Sequence, residues 1–300
     1  MEMLVILVAQ PILMILAMTV LGLLVGSFLN VVIYRLPVMM EREWRSECRA
    51  LLELDDTTAA DQPFDLIRPR SRCPQCATPV SAHHNIPLLS YLLLAGRCAH
   101  CGVAIPRRYP LIEVLGGVMG GLAAWHFAHG PDANTVLWLA RALLGAVYGW
   151  SLLALAFIDL DTKLLPDSIT QPLLWLGLAC GFFGLFAGDL ASAVLGAMAG
   201  YLSLWLIYWL FKLVTGKEGM GYGDFKLLAA VGAWLGWQAL PAVILISSVI
   251  GAAVGITMIV TGLTKRSEPM PFGPFLAGAG VLAMFCKDRL FDLFYTGAML

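Results

Sequence analysis

Long runs without a charged side chain dominate this sequence. Met3 to Tyr34 contains none, and about 20 apolar residues rising ~1.5 Å each suffice to cross the ~30 Å of hydrocarbon in a bilayer. A helix apolar on every side has no solvated face, so it belongs in lipid or deep inside a large core. Further candidate spans are about 110–129, which holds one charge at Glu113, 135–157, which holds one at Arg141, and the uncharged 169–187 and 190–211, followed by an uncharged run from Leu227 to Thr264 and a last one from Pro269 to Cys286. A single helix over 227–264 would be about 57 Å long, nearly twice the membrane, so a break near Gly236 to Pro241 is expected, giving about eight spans. With 59% hydrophobic and 13% charged residues in 300, and a mean hydropathy of +0.81, the chain reads as an all-α polytopic membrane protein.

Lys and Arg set the orientation, because cytoplasmic loops collect them. Ten lie between Arg35 and Arg108, which makes that segment a cytoplasmic loop joining the first two spans. With alternating spans, all of the 19 basic residues except Arg141, Lys287 and Arg289 fall on the same side. The expected layout is a first transmembrane helix (1–34), a cytoplasmic loop (35–109) and a multi-helix membrane domain (110–300), with both ends facing away from the cytoplasm. Met3–Tyr34 lacks a basic n-region and an A-x-A site, so it is expected to be retained. A net charge of −1 provides no basic field to recruit nucleic acid. Glu53 to Asp65 is acidic and polar and reads as solvated. No convincing internal repeat or low-complexity tract is evident.

The loop carries Cys73-x-x-Cys76 and Cys98-x-x-Cys101. Two such knuckles supply four thiolates to a tetrahedral ion, closed to water and therefore structural, and zinc is the expected metal. Disulfides would need an oxidising compartment, contrary to a cytoplasmic loop. Because the loop has few large apolar residues, the ion is expected to supply much of its folding free energy. Four cysteines fill the shell, leaving no ligand role for His83, His84 or His100. Cys48, Cys180 and Cys286 read as inert small residues.

Ionisable residues at helix ends form the second cluster: Asp159, Asp161 and Asp167, and, after Gly219, Gly221 and Gly223, Asp224. Carboxylates at the membrane are costly and usually functional. Asp167 or Ser168 suits the N-cap of the helix that begins near Ile169, and Asp224 has the same reading after a glycine turn. Capping does not account for Asp159, which sits at a helix C-terminus, where the macrodipole disfavours a negative charge. Two aspartates a few ångströms apart do not both ionise easily, so one is available as base and the other as acid for water attack on a peptide carbonyl. The glycines before Asp224 leave room for an extended peptide backbone. Glu113, just inside its span, is either a ligand for a substrate amine or an interfacial partner of Arg107 or Arg108. Asn30 and Ser27 have a substrate reading and an interhelical hydrogen-bonding one.

Taken together, Gly26 to Asn30 with Arg35-Leu-Pro37, the two knuckles, Arg108 to Glu113, Ile158-Asp159 to Pro166-Asp167 and Gly221-x-Gly223-Asp224 resemble the bacterial type IV prepilin peptidases almost end to end. The resemblance implies a bifunctional inner-membrane enzyme with its active site at the cytoplasmic face. Such an enzyme removes the short basic leader of type IV prepilins and type II secretion pseudopilins, then N-methylates the new terminal residue with S-adenosylmethionine. It also implies that Asp159 and Asp224 are the catalytic pair; beside them in the sequence, Gly221, Gly223, Asp161 and Asp167 read as supporting residues. No residue pattern here marks the S-adenosylmethionine site, and none fixes the oligomeric state. A prepilin's apolar helix would lie in lipid with its scissile bond at the membrane face. Two rival readings use the same residues: a non-enzymatic zinc-bearing membrane scaffold whose aspartates cap helices, and a membrane thiol oxidoreductase with catalytic C-x-x-C pairs.

Overall fold

A computed structural model describes residues 10–53, 64–81, 86–128, 135–263 and 270–291. His83, His84, Lys265, Arg266 and most of the acidic stretch 53–65 lie outside them. The chain divides into two compact units, Met1–Ala146 and Val147–Leu300. The described residues are helical apart from turns and two isolated β-bridges.

In the first unit, α1 (Pro11–Leu51) packs along α3 (Arg108–Ala128). Met14, Met18, Gly22, Gly26, Leu29 and Ile33 are its buried stripe, spaced three or four residues apart, while Ile12, Leu16, Val20, Leu24 and Phe28 stay exposed as a lipid-facing side must. Glycines let the two backbones touch: a Cβ on Gly26 would stand 2.7 Å from the Cα of Glu113, and one on Gly116 would stand 2.5 Å from the carbonyl oxygen of Gly22. The sequence led us to expect the first helix to end near Tyr34. Instead α1 continues through Pro37 to Leu51. Residues 38–51 are good helix formers, and an Arg45–Glu41 ion pair of 2.6 Å joins successive turns, so a change from apolar to charged marks the water boundary and not the helix end. Between α1 and α3 lie the cysteine knuckles and a short helix, α2 (Leu89–Leu93).

The unit boundary falls within α4 (Thr135–Thr162). The second unit continues with α5 (Asp167–Phe182), α6 (Leu190–Thr215), α7 (Tyr222–Leu235), a 3-10 turn (Trp237–Ala239), α8 (Leu240–Val260), α9 (Gly273–Phe285) and α10 (Lys287–Phe291). Helix α7 is the core, buried at every position from Leu227 to Leu235 and packed against α5, α6 and α9. It meets α6 through glycine, since a Cβ on Gly200 would stand 2.5 Å from the carbonyl oxygen of Leu228 and Gly196 and Gly232 face each other still more closely. The Trp234 indole N–H donates to the Leu173 carbonyl at 2.8 Å, tying α5 to α7 inside the core. The long apolar run breaks where the sequence led us to expect: Gly236, at φ 83°, ends α7 and the chain turns into α8.

Among the described residues, five helices are long and apolar enough to cross a membrane: α1, α3, α4, α6 and α8, the last counted with the preceding 3-10 turn. Helices α5, α7 and α9, with 16, 14 and 13 residues, are shorter. The architecture is that of a helical, polytopic membrane protein.

Candidate active site and metal centre

The second unit brings together two buried carboxylates from distant segments. Asp159, in the last turn of α4, is 5% exposed, and Asp224, in the first turn of α7, is 6% exposed. Their segments meet around Leu165, which a Cβ on Gly223, next to Asp224, or on Gly273, bonded to Asp159, would touch. The unfavourable helix end around Asp159 is compensated from elsewhere. Gly273, the first residue of α9, donates its backbone N–H to Asp159 Oδ2 at 2.9 Å, so the positive end of α9 faces a carboxylate stranded at the negative end of α4. Only glycine fits there, because a Cβ on Gly273 would stand 2.6 Å from that same oxygen. Sequence reasoning missed Gly273; its trace was the Gly273-Pro274 step, a helix start next to Pro271.

Leu165, in the turn between α4 and α5, lies between Gly223 and Gly273. A Cβ on Gly223 would meet its Cβ at 2.7 Å, and one on Gly273 would meet its Cδ2 at 3.3 Å. The glycines of the G-x-G-D segment therefore differ in use. Gly223 makes room for Leu165, whereas a Cβ on Gly221 would meet nothing nearer than the Gly223 nitrogen at 4.0 Å. Lys163, at φ 57°, closes α4 by donating its backbone N–H to the Asp159 carbonyl at 2.8 Å.

The capping expectations need correction. The α5 N-cap is Pro166, with no side-chain cap, and Asp167 instead forms a two-oxygen ion pair with Lys226 Nζ, 2.7 Å to each. Asp224 does not cap α7 either; Gly221 holds that position. Asp161 is exposed. Lys212 bridges to Glu218 at 2.9 Å and lies over the rings of Tyr208 and Trp209, fastening the segment that leads into the glycines.

In the first unit the four cysteines meet. Their sulfurs all lie within 4.8 Å of one another, and Cys73 and Cys101 are 3.8 Å apart. A tetrahedron with metal–sulfur bonds of about 2.3 Å has edges of about 3.8 Å, so the cluster fits zinc. The two knuckles repeat one design that the linear sequence hides. Cys73 and Cys98 donate their backbone N–H groups to the carbonyls of Thr78 (3.0 Å) and Val103 (2.8 Å), Ala77 and Gly102 take positive φ (56° and 72°), and Arg72–Pro79 and Arg97–Ala104 form matching bridges. The electrostatics ask for a cation. The Thr78 hydroxyl and backbone N–H pull the Cys76 thiol down to about 6, and the backbone N–H groups of Cys101 and His100 lower Cys98. Cys101 is pushed up to about 11: the Val103 N–H favours its thiolate, but burial and the three neighbouring sulfurs outweigh it. Four crowded thiols do not all ionise unless a divalent cation sits among them. Cys180 is buried, while Cys48 is exposed on α1.

Beside the knuckles, the first unit encloses a cavity of about 1240 Å³ reaching from Cys73, Cys98 and His100 to Ser27, Asn30 and Glu113. The Glu113 carboxylate accepts the Leu88 N–H at 2.9 Å. Asn30 donates to the carbonyls of Gly26 (3.3 Å) and Tyr109 (3.2 Å), the interhelical role open to it. Arg35, 8% exposed, donates to the carbonyls of Asp65 (2.8 Å) and Pro69 (2.5 Å). Asp65 in turn accepts the N–H groups of Arg68 and Ile67, which hold its carboxyl below the usual range.

Residues 20–127 match the family described as Bacterial Peptidase A24 N-terminal domain, and residues 146–256 match the type IV leader peptidase family. Proteins named prepilin leader peptidase/N-methyltransferase are similar over nearly the whole length. The one from Stutzerimonas stutzeri is 52% identical over 284 residues, covering 95% of this chain and 94% of the relative. The Pseudomonas aeruginosa protein is 50% identical with the same coverage, and the Aeromonas hydrophila protein is 52% identical over 92% of this chain and 91% of its own. No solved structure matches. With buried aspartates on α4 and α7, and half-identical relatives aligned across both units, the chain belongs to the bacterial type IV leader peptidase family.

Proposed function

We propose that this protein is a membrane aspartic endopeptidase that removes the leader of type IV prepilins and type II secretion pseudopilins and then N-methylates the new terminus. The observation that carries the peptidase half is the burial of Asp159 and Asp224 on two segments that meet at Leu165. One aspartate takes a proton from water, whose oxygen attacks the scissile carbonyl. The other donates to that carbonyl oxygen and then supplies the proton the leaving amine needs. Gly273 orients Asp159, and the Asp167–Lys226 pair sits beside Asp224 as a support at the start of α7. Asp161 belongs to the same helix end.

The methyl group comes from S-adenosylmethionine, which supplies an electrophilic carbon on a positively charged sulfur. Glu113 and Asn30 are the candidates for receiving the freed amine. Zinc at Cys73, Cys76, Cys98 and Cys101 is structural and holds the knuckles folded. We read the chain as about eight spans in the bacterial inner membrane, with the loop 35–109 and the aspartates at the cytoplasmic face, supported by the distribution of Lys and Arg.

The test is incubation of the purified protein with a prepilin, with and without S-adenosylmethionine. Mass spectrometry should show leader loss in both samples and a 14 Da gain only with the methyl donor, about one methyl in place of one hydrogen. Intact prepilin after prolonged incubation, from protein that is folded and carries zinc, would refute the peptidase assignment.

A further inference from the structure

The cavity of the first unit has a use that the aspartate pair does not supply. At about 1240 Å³ it exceeds the ~300–1,000 Å³ that suits one drug-sized ligand, which leaves room for two reactants together. Its charges are unevenly divided. Arg35, Arg42, Arg70 and Arg72 line it, and Glu113 is the one acidic side chain among its described lining residues. Such a wall repels a basic leader peptide. It suits a ligand that carries a carboxylate for the arginines together with a cation for Glu113, with Tyr34 and Tyr109 offering ring faces to a cation or a base.

Glu113 is held in place by strained backbone. Leu88, whose N–H it accepts at 2.9 Å, has φ 58°, a conformation that a leucine adopts only when its surroundings insist on it. That bond anchors the carboxylate through Oε2 where Glu113 lines the cavity. Arg35 is fixed just as firmly. Its two terminal nitrogens are bonded to the carbonyls of Asp65 and Pro69, and Phe64 lies 5.6 Å from its guanidinium.

We propose that this cavity is the methyl-transfer site: it binds S-adenosylmethionine by its carboxylate through the arginines, and Glu113 faces both the sulfonium and the incoming terminal amine. This rests on the methyltransferase half of the proposed function. The terminal ammonium gives one proton to the Glu113 carboxylate, and the lone pair this exposes attacks the methyl carbon. The carbon–sulfur bond breaks with its electrons going to sulfur, which leaves a neutral thioether and a methylated ammonium; the Glu113 proton passes to water.

The test uses the full-length zinc-loaded protein in detergent or nanodiscs, with binding of S-adenosylmethionine and of its demethylated product, S-adenosylhomocysteine, measured by calorimetry. Glu113→Gln should weaken S-adenosylmethionine about tenfold or more, because a buried cation loses its counter-charge, while the uncharged thioether changes less than about threefold. Independently of any variant, photo-crosslinking of radiolabelled S-adenosylmethionine to the unaltered protein should label peptides containing Tyr34 or Tyr109. Label confined to residues 147–300, equal weakening of both ligands in folded Glu113→Gln, or an unchanged S-adenosylmethionine affinity would each overturn the proposal. If Glu113→Gln does not fold, the crosslink map alone decides. Leader loss is scored in the same preparation: cleavage with label outside the cavity overturns this inference alone, whereas no cleavage and no binding overturns the proposed function with it.

Discussion

Gly273→Ala is the sharpest probe of the aspartate pair. The added methyl would stand 2.6 Å from Asp159 Oδ2, 3.1 Å from its Cγ and 3.3 Å from Leu165 Cδ2, against an ordinary contact of about 3.4 Å or more. Either the carboxylate retreats by about 0.8 Å or α9 does. Both movements break the 2.9 Å bond from the Gly273 N–H, the one contact by which α9 offsets the misplaced charge at the end of α4. A hydrogen bond to a charged group contributes about 1.5–3 kcal/mol, and each 1.4 kcal/mol is a factor of ten, so kcat/KM for leader removal should fall about 10- to 100-fold. The assay is leader loss from a prepilin at fixed detergent and pH, followed by mass spectrometry. Methylation of a pilin supplied already cut, together with the melting temperature, reports whether the variant is folded. Cleavage within about threefold of the unaltered protein, with α9 intact, would show that Asp159 does not depend on Gly273 and that its helix-end charge is balanced in some other way.

Asp159→Asn and Asp224→Asn should each reduce leader removal below about 1% of the starting rate, and the double variant should be no slower than either, because the two act as one unit. Metal analysis should find one zinc per chain. Cys98→Ser should lose most of it and make residues 64–107 sensitive to protease, an effect absent in Cys48→Ser. Breaking the exposed pair with Lys226→Met should cost under about 1 kcal/mol, read as a melting shift of no more than about 4 °C. Gly200→Leu should yield little extractable folded protein, since its Cβ would collide with the backbone of α7 2.5 Å away.

What could be read from the sequence was what local chemistry fixes. Charge-free stretches gave the helices because lipid admits no other solution for their length, and the C-x-x-C pairs gave the thiol cluster because tetrahedral ligation fixes spacing. The break at Gly236 was visible for the same reason, in a run too long for one span. Partners brought together only by folding were hidden. Nothing near Asp159 in the sequence points to Gly273, 114 positions away. Asp167 looked like a cap because its local context fits one, and only the packing of α5 beside α7 brings Lys226 to it. The end of α1 was misplaced because hydropathy reports the solvent around a helix, whereas backbone propensity decides where it stops.

Arg35 and Arg42 stand seven residues apart on α1, two turns along the same face, and both lie against Phe64, at 5.6 and 4.5 Å from its ring centre. Residue count between them is therefore constrained more tightly than residue type. One inserted amino acid would swing the outer arginine through about 100° and displace it by ~1.5 Å, detaching it from the ring even if every original side chain were retained. Substitutions on the lipid-facing side of this helix leave that register untouched, whereas a single-codon insertion or deletion beyond the membrane edge does not.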